Sequence, residues 1–232
     1  AAALDAQWEE LQQAKASLDD KRAELAAARE AAEAAMEEAA EEVEGEAAGA
    51  GNAAADTLAA LETAVGEATD SFNEQLVNFI NSDPPIEGEP RSERQNAAFA
   101  MKSDEDIMVA QEYIDDGGDY KRAINIYQQA LMVDPDNERL QSLLAEAEGL
   151  RFMTEERFAQ AKKGMTEDEV REALGPVNVR NVREYEDKGA TAWFYPTAEN
   201  GAAAAVWYRQ QGGELKVYDL DFDFIKPQEE GA

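Results

Sequence analysis

The chain has no cysteine and no histidine among its 232 residues. These absences exclude disulfides, thiolate nucleophiles, Cys/His zinc sites and histidine acid–base chemistry. They leave the compartment open, because a cysteine-free chain suits reducing and oxidising surroundings alike. Basic residues are scarce: 21 Lys and Arg stand against 51 Asp and Glu, a formal charge of -30. Such a surface repels phosphate backbones and anionic lipid, which argues against a nucleic-acid partner. No apolar run approaches the roughly 20 residues that span a bilayer, so no transmembrane segment is expected. There is no phosphate loop and no nucleophile elbow either. A non-enzymatic protein without a cofactor is the expectation. The opening Ala1-Ala2-Ala3-Leu4 fits a mature end left by signal-peptide removal. That predicts an exported protein, extracellular or in the cell envelope or periplasm.

What is present is helical periodicity. Leu4, Leu11, Leu18 and Leu25 fall every seventh residue, and Ala32 and Ala39 continue the register. Trp8, Met36 and Val43 sit four residues after members of that series. This heptad stripe predicts a helix of about 40 residues, with Lys15, Arg22 and Arg29 spoiling its second seam. Gly45 and Ala48-Gly49-Ala50-Gly51-Asn52 are expected to form a turn or hinge. A second stripe follows at alternating steps of three and four: Leu58, Leu61, Val65, Ala68, Phe72 and Phe79. The two helices read as an antiparallel hairpin. No Lys or Arg occurs between Arg29 and Arg91, so intrahelical Glu–Lys pairs cannot support this segment. Pro84, Pro85, Gly88 and Pro90 then predict an irregular connector.

Ser103-Asp104-Glu105-Asp106 carries an N-cap signature and is expected to open a helix–turn–helix unit. Gly118-Asp119-Tyr120, the packing positions Ala123, Ile124, Tyr127, Ala130 and Leu131, and the turn Asp134-Pro135-Asp136-Asn137 follow. This stretch resembles one tetratricopeptide repeat (TPR). Ile107, Ala110 and Gln111 depart from the family pattern in the first helix. The leucines Leu140, Leu143, Leu144 and Leu150 look like the first half of another repeat, or a cap.

Thr154 is placed to cap a short helix reaching Lys163. From there the sequence runs K-G-M-T-x-x-E-V-x-x-x-L-G-P, from Lys163 to Pro176. Thr166 and Glu169 form a capping-box pattern, and Gly175-Pro176 ends the helix. The run resembles the SmpA/OmlA (BamE-like) family of small envelope lipoprotein domains. The resemblance implies helices packed on a small antiparallel sheet. No lipid-bearing Cys is present, so membrane anchoring is not carried over. Strands are predicted near 179–185, 190–195, 203–209 and 214–224, separated by Gly-containing turns. Leu215 and Val217 have one strand parity and Leu220, Phe222 and Phe224 the other; a β-bulge near Tyr218-Asp219 would reconcile them.

The expected class is therefore α+β and mostly helical. It comprises a long helical hairpin or coiled coil (1–82), a Pro-containing linker (83–102), a TPR-like unit (103–163), a BamE-like α+β domain (164–227) and a tail (228–232). Asp219, Asp221 and Asp223 alternate, and a polar strand face is preferred over a cation site. The acidic turns 115–119 and 134–137 lack EF-hand spacing. Each segment looks like an incomplete surface. Self-association into a homopolymer or filament is the first functional expectation; the alternative is an envelope adaptor that docks another protein. Candidate interaction residues are Leu58, Leu61, Val65, Phe72 and Phe79 on the hairpin, Tyr120 and Tyr127 in the repeat, and Trp193 and Trp207 in the sheet.

Overall fold

The structure is a computed structural model that describes residues 2–41, 47–86 and 88–227, with backbone alone for 36–41 and 47–54. Its described residues form seven α-helices and one four-stranded antiparallel sheet, a mostly helical α+β architecture. The chain divides into two compact units, 1–102 and 103–232.

In the first unit, α1 (Ala2–Glu41) and α2 (Ala47–Ser82) run antiparallel. Three cross-pairs fix that direction: the Trp8 and Phe79 rings lie 5.0 Å apart, Arg22 donates to Thr69 at 3.3 Å, and Arg29 pairs with Glu62 at 2.8 Å. The heptad leucines Leu11 and Leu18 are buried against Phe72, Leu76 and Phe79. The basic residues expected to spoil the second seam instead reach along it: Arg22 and Arg29 tie α1 to α2. Their long apolar stems allow such placement with the charge near water. The turn expected over Ala48–Asn52 is overturned, because α2 already begins at Ala47. Gly49 and Gly51 cost about 1 kcal/mol each in a helix, which the surrounding alanines tolerate. Gly45 and Val43 lie outside the described residues.

The connector is shorter than expected. Helix α3 spans Glu93–Asp115, so 93–102 is not linker, and Ser103 does not start a helix. The true start signal is Ser92–Gln95: the Ser92 hydroxyl accepts from the Gln95 amide at 3.2 Å, and the Gln95 side chain accepts from the Ser92 amide at 2.8 Å. That reciprocal pair is a capping box. No glycine or proline interrupts 93–115, so nothing ends the helix at Ser103.

In the second unit, the end of α3 shares a core with α4 (Tyr120–Val133) and α5 (Glu138–Arg151). Ala123, Ile124, Tyr127 and Ala130 are buried there with Ile107, Ala110 and Leu140. Asp119 caps α4 by accepting from the Arg122 amide at 3.1 Å, and Asn137 caps α5 by accepting from Leu140 at 3.1 Å. Thr154 caps α6 as expected, but α6 is only Glu155–Phe158 and stops short of Lys163. Helix α7 (Glu167–Leu174) has the full Thr166/Glu169 capping box and ends at Gly175 with φ +84.

The sheet runs β1 (Val182–Tyr185), β2 (Ala190–Pro196), β3 (Ala203–Gln211) and β4 (Glu214–Ile225), in that spatial order. Residues 179–181, expected as strand, form a 3-10 turn capped by Asn178. The inner face carries Trp193, Tyr195, Val206, Tyr208 and Val217, packed against Phe158, Val170 and Leu174. The predicted bulge is present: Trp207 pairs with Asp219 but Tyr208 with Val217, leaving Tyr218 extra.

The Tyr208 hydroxyl is buried and makes no hydrogen bond to the protein among the described residues. Burial, then the Tyr195 and Glu167 neighbours, push its ionisation far up, so the phenol stays neutral. A buried donor without a partner costs about 1–3 kcal/mol. Tyr208→Phe is therefore expected to stabilise the protein by about 1 kcal/mol in urea denaturation. A loss above that size would show that the hydroxyl has a partner.

Candidate interaction surface

The strands' alternation gives the sheet a second, outward face. Val182 pairs with Trp193 on the inner side, which sends Arg183 and Tyr185 outward. Phe194, opposite Ala205, points outward, as does Trp207 opposite Ala192 and Asp219. Phe224 was expected to share the inner face with Leu220 and Phe222. A second register shift between Ala203 and Ala205 overturns that: Ala205 pairs with Asp221, but Ala203 pairs with Ile225. The extra residues turn Phe224 over, and its ring lies 5.7 Å from Phe194 and 5.3 Å from Trp207. Tyr185 completes the group at 5.2 Å from Trp207. Bulges commonly re-aim a side chain in this way.

The floor under these rings is made of small residues. Ala192, Ala203 and Ala205 are buried beneath Tyr185, Phe194, Trp207 and Phe224. Small floor and large walls leave a shallow groove of about 440 Å³ beside Phe194, Phe224 and Tyr185. Phe224 and Ile225 at its edge are 43% and 41% exposed. The rim carries both signs, because Asp219 and Asp221, opposite Trp207 and Ala205, share this outward face. Arg183 borders the groove, the Lys188 ammonium lies 5.3 Å from the Tyr185 ring, and the Arg209 guanidinium lies 4.0 Å from the Tyr218 ring.

The β4 edge of the sheet is guarded against strand addition. Gly164 donates to the Val217 carbonyl at 2.7 Å, and Val217 donates to Met165 at 2.8 Å. Together with the Thr166–Lys216 bridge, these contacts cover the beginning of β4. Its remainder carries Asp219, Asp221 and Asp223, and edge charges oppose pairing with another chain. Asp219 accepts from Lys163 at 2.9 Å, and this bond holds its carboxyl below the usual Asp range. A lowered folded value means that the contact stabilises at neutral pH and is lost as acid protonates Asp219. Asp221 accepts from the Asp223 amide at 3.0 Å. No group of three acidic side chains among the described residues is arranged to hold a metal.

No family model matches this chain, and no curated protein and no solved structure matches it. The likenesses to the tetratricopeptide and BamE-like families therefore stand on the motifs from Gly118 to Asn137 and from Lys163 to Pro176 alone.

The candidate interaction residues divide sharply by burial. Phe72, Phe79, Tyr127 and Trp193 are at most 3% exposed, each inside a core of its own unit, and present no surface. Val65 packs half-buried on the hairpin core; Leu58 and Leu61 are also half-buried. Tyr120 is half-buried at the start of α4. Only Trp207 joins an aromatic cluster on an outward face. Sequence reasoning missed its companions Tyr185, Phe194 and Phe224 as a surface group. Period-two parity could have found the first two; Phe224 depended on the second bulge.

Proposed function

We propose that this protein is a non-catalytic binding module that docks a protein segment on the outer face of its C-terminal sheet. One observation carries the reading: four aromatic rings stand together over an alanine floor, outside the core, on a face that no described helix of the second unit covers. Contiguous outward apolar groups of this kind mark interaction sites. The partner's chemistry follows from the rim. Arg183 and Lys188 on the β1 side, with Asp219 and Asp221 along β4, suit a segment with apolar side chains flanked by charges of both signs. Absence of His and Cys supports a non-enzymatic role. The likeness to small envelope lipoprotein domains supports an envelope setting.

Self-association is the second reading, and a different observation favours it. Met132 is 78% exposed and Val133 47% at the end of α4, a position where a further helical unit would pack. Of the hairpin residues expected to join copies, Phe72 and Phe79 are buried in the hairpin core and Val65 packs against it.

Peptide display against the whole protein tests the proposal. Selected peptides are expected to centre on an aromatic or aliphatic residue with charged neighbours. Trp207→Ser should weaken their binding by about 2 kcal/mol or more, as for a central aromatic anchor. Peptides that bind Trp207→Ser as well as wild type would sink the reading. Sedimentation across concentrations distinguishes the occupant: wild-type oligomers that Met132→Ser dissociates and Trp207→Ser does not would favour self-association through α4.

A further inference from the structure

The second unit contains a separate cleft, of about 380 Å³, where the α3–α4 turn, α5 and the ends of the sheet strands meet. We propose that this cleft binds a small organic anion: a carboxylate or phosphate attached to an apolar body.

Charge is the first ground. The lining includes four cations, Lys121, Arg151, Arg157 and Arg180, against two carboxylates, Asp119 and Glu199. Both carboxylates are engaged. Glu199 pairs with Arg151 at 2.7 Å, and Asp119 caps α4 through the Arg122 amide. Lys121, Arg157 and Arg180 make no ion pair among the described residues. In a chain with 51 acids and 21 bases, cations have abundant opportunity to be paired. Three unpaired ones at a single concavity concentrate positive potential there, and a low-dielectric wall focuses it.

Preorganisation is the second ground. The Arg157 guanidinium is half-buried and fixed on one side. Its Nη2 donates to the Leu150 carbonyl at 2.9 Å and the Phe152 carbonyl at 3.2 Å, and its Nε lies 3.3 Å from the Met153 sulfur. Those bonds leave Nη1 for a ligand and hold the fork in place before the ligand arrives. The Tyr120 and Tyr195 rings line the same cleft as Arg157. Tyr120 adds a neutral hydroxyl donor to the cleft. Leu150 and Pro176 supply apolar wall, which favours an anion with an organic body over a bare one. The volume matches one small molecule, since such sites usually span about 300–1,000 Å³.

Calorimetric titration of the full chain tests this with three probes: phenyl phosphate, benzoate and benzyl alcohol. The two anions are expected to bind and to weaken as salt rises; benzyl alcohol is expected to bind at least about tenfold more weakly, because it lacks the charged head. Arg157→Gln should weaken anion binding about tenfold or more. Arg157 also ties down 150–153, so the double variant Lys121→Gln/Arg180→Gln, which changes exposed tips only, provides the second arm. It should lower anion affinity about tenfold while its melting temperature stays unchanged. Trp207→Ser leaves the cleft intact and should bind the anions like wild type. Equal binding of benzyl alcohol and the anions, no anion binding by wild type, or unchanged affinity in the double variant would each overturn the proposal.

Discussion

Gly118→Ala is expected to destabilise the second unit by about 3 kcal/mol or more. Two costs add. Gly118 sits at φ +58, where an alanine pays about 1–2 kcal/mol for its Cβ. An added Cβ would also come within 2.5 Å of the Val177 backbone carbon and oxygen and 2.6 Å of the Asn178 nitrogen. Backbone cannot swing aside as a side-chain tip can, so the repeat-like turn and the segment after α7 must part. The neighbouring bond from the Val179 amide to the Gly117 carbonyl, 3.2 Å, would be strained with them. Gly189→Ala is the control. Gly189 has nearly the same angle, φ +56, but nothing lies within 4 Å of its added Cβ. It should lose only the conformational part, about 1 kcal/mol. Denaturant titrations of both variants, followed by tryptophan fluorescence, measure the difference. Equal losses would mean that the close approach carries no energy.

Phe72→Ala should cost about 3–5 kcal/mol in the first unit. Phe72 is 0% exposed and lies between Leu11, Leu18, Leu76 and Phe79. A helical hairpin with only the start of α3 packed on it has few other places to bury apolar surface, so the cavity has little material to collapse into. Phe72→Leu, which keeps most of the volume, should lose less than about 1.5 kcal/mol. The effect should also fall along the hairpin. Leu58 and Leu61 are half-exposed, and Ala substitutions there should cost roughly half as much or less. Thermal melts followed at 222 nm give the series; a flat profile from Leu58 to Phe72 would show that the core is not concentrated at the Phe72 end.

Local patterns carried most of the secondary structure. The Leu11 and Leu18 register needed only the helical period, and Thr166 and Glu169 needed only their spacing of three. The mismatch in parity between Val217 and Leu220 was enough to require the Tyr218 bulge, because a pleated strand alternates without exception unless a residue is inserted. The start of α3 was equally local, at Ser92 and Gln95, but the acidic Ser103–Asp106 run imitated a cap and drew the boundary ten residues late. A hydroxyl followed by carboxylates is common to helix starts and to helix interiors, and only the geometry separates them.

The candidate sites were decided at another level. Trp193 and Trp207 look equivalent as sequence, yet one is inside and the other outside, because β2 and β3 pair in one register and not its neighbour. Phe224 reached the outer face through a second bulge with no parity signal of its own. Lys121, Arg151, Arg157 and Arg180 are spread over 60 residues and share one cleft only after the repeat-like helices close on the sheet. By itself the sequence determined the fold class, the helical stripes, the Thr154 and Thr166 caps and most of the strand positions, since each depends on neighbours within a turn or a strand. Tertiary structure alone decided which aromatic faces water and which cations meet, because those depend on register and on docking between segments far apart in the chain.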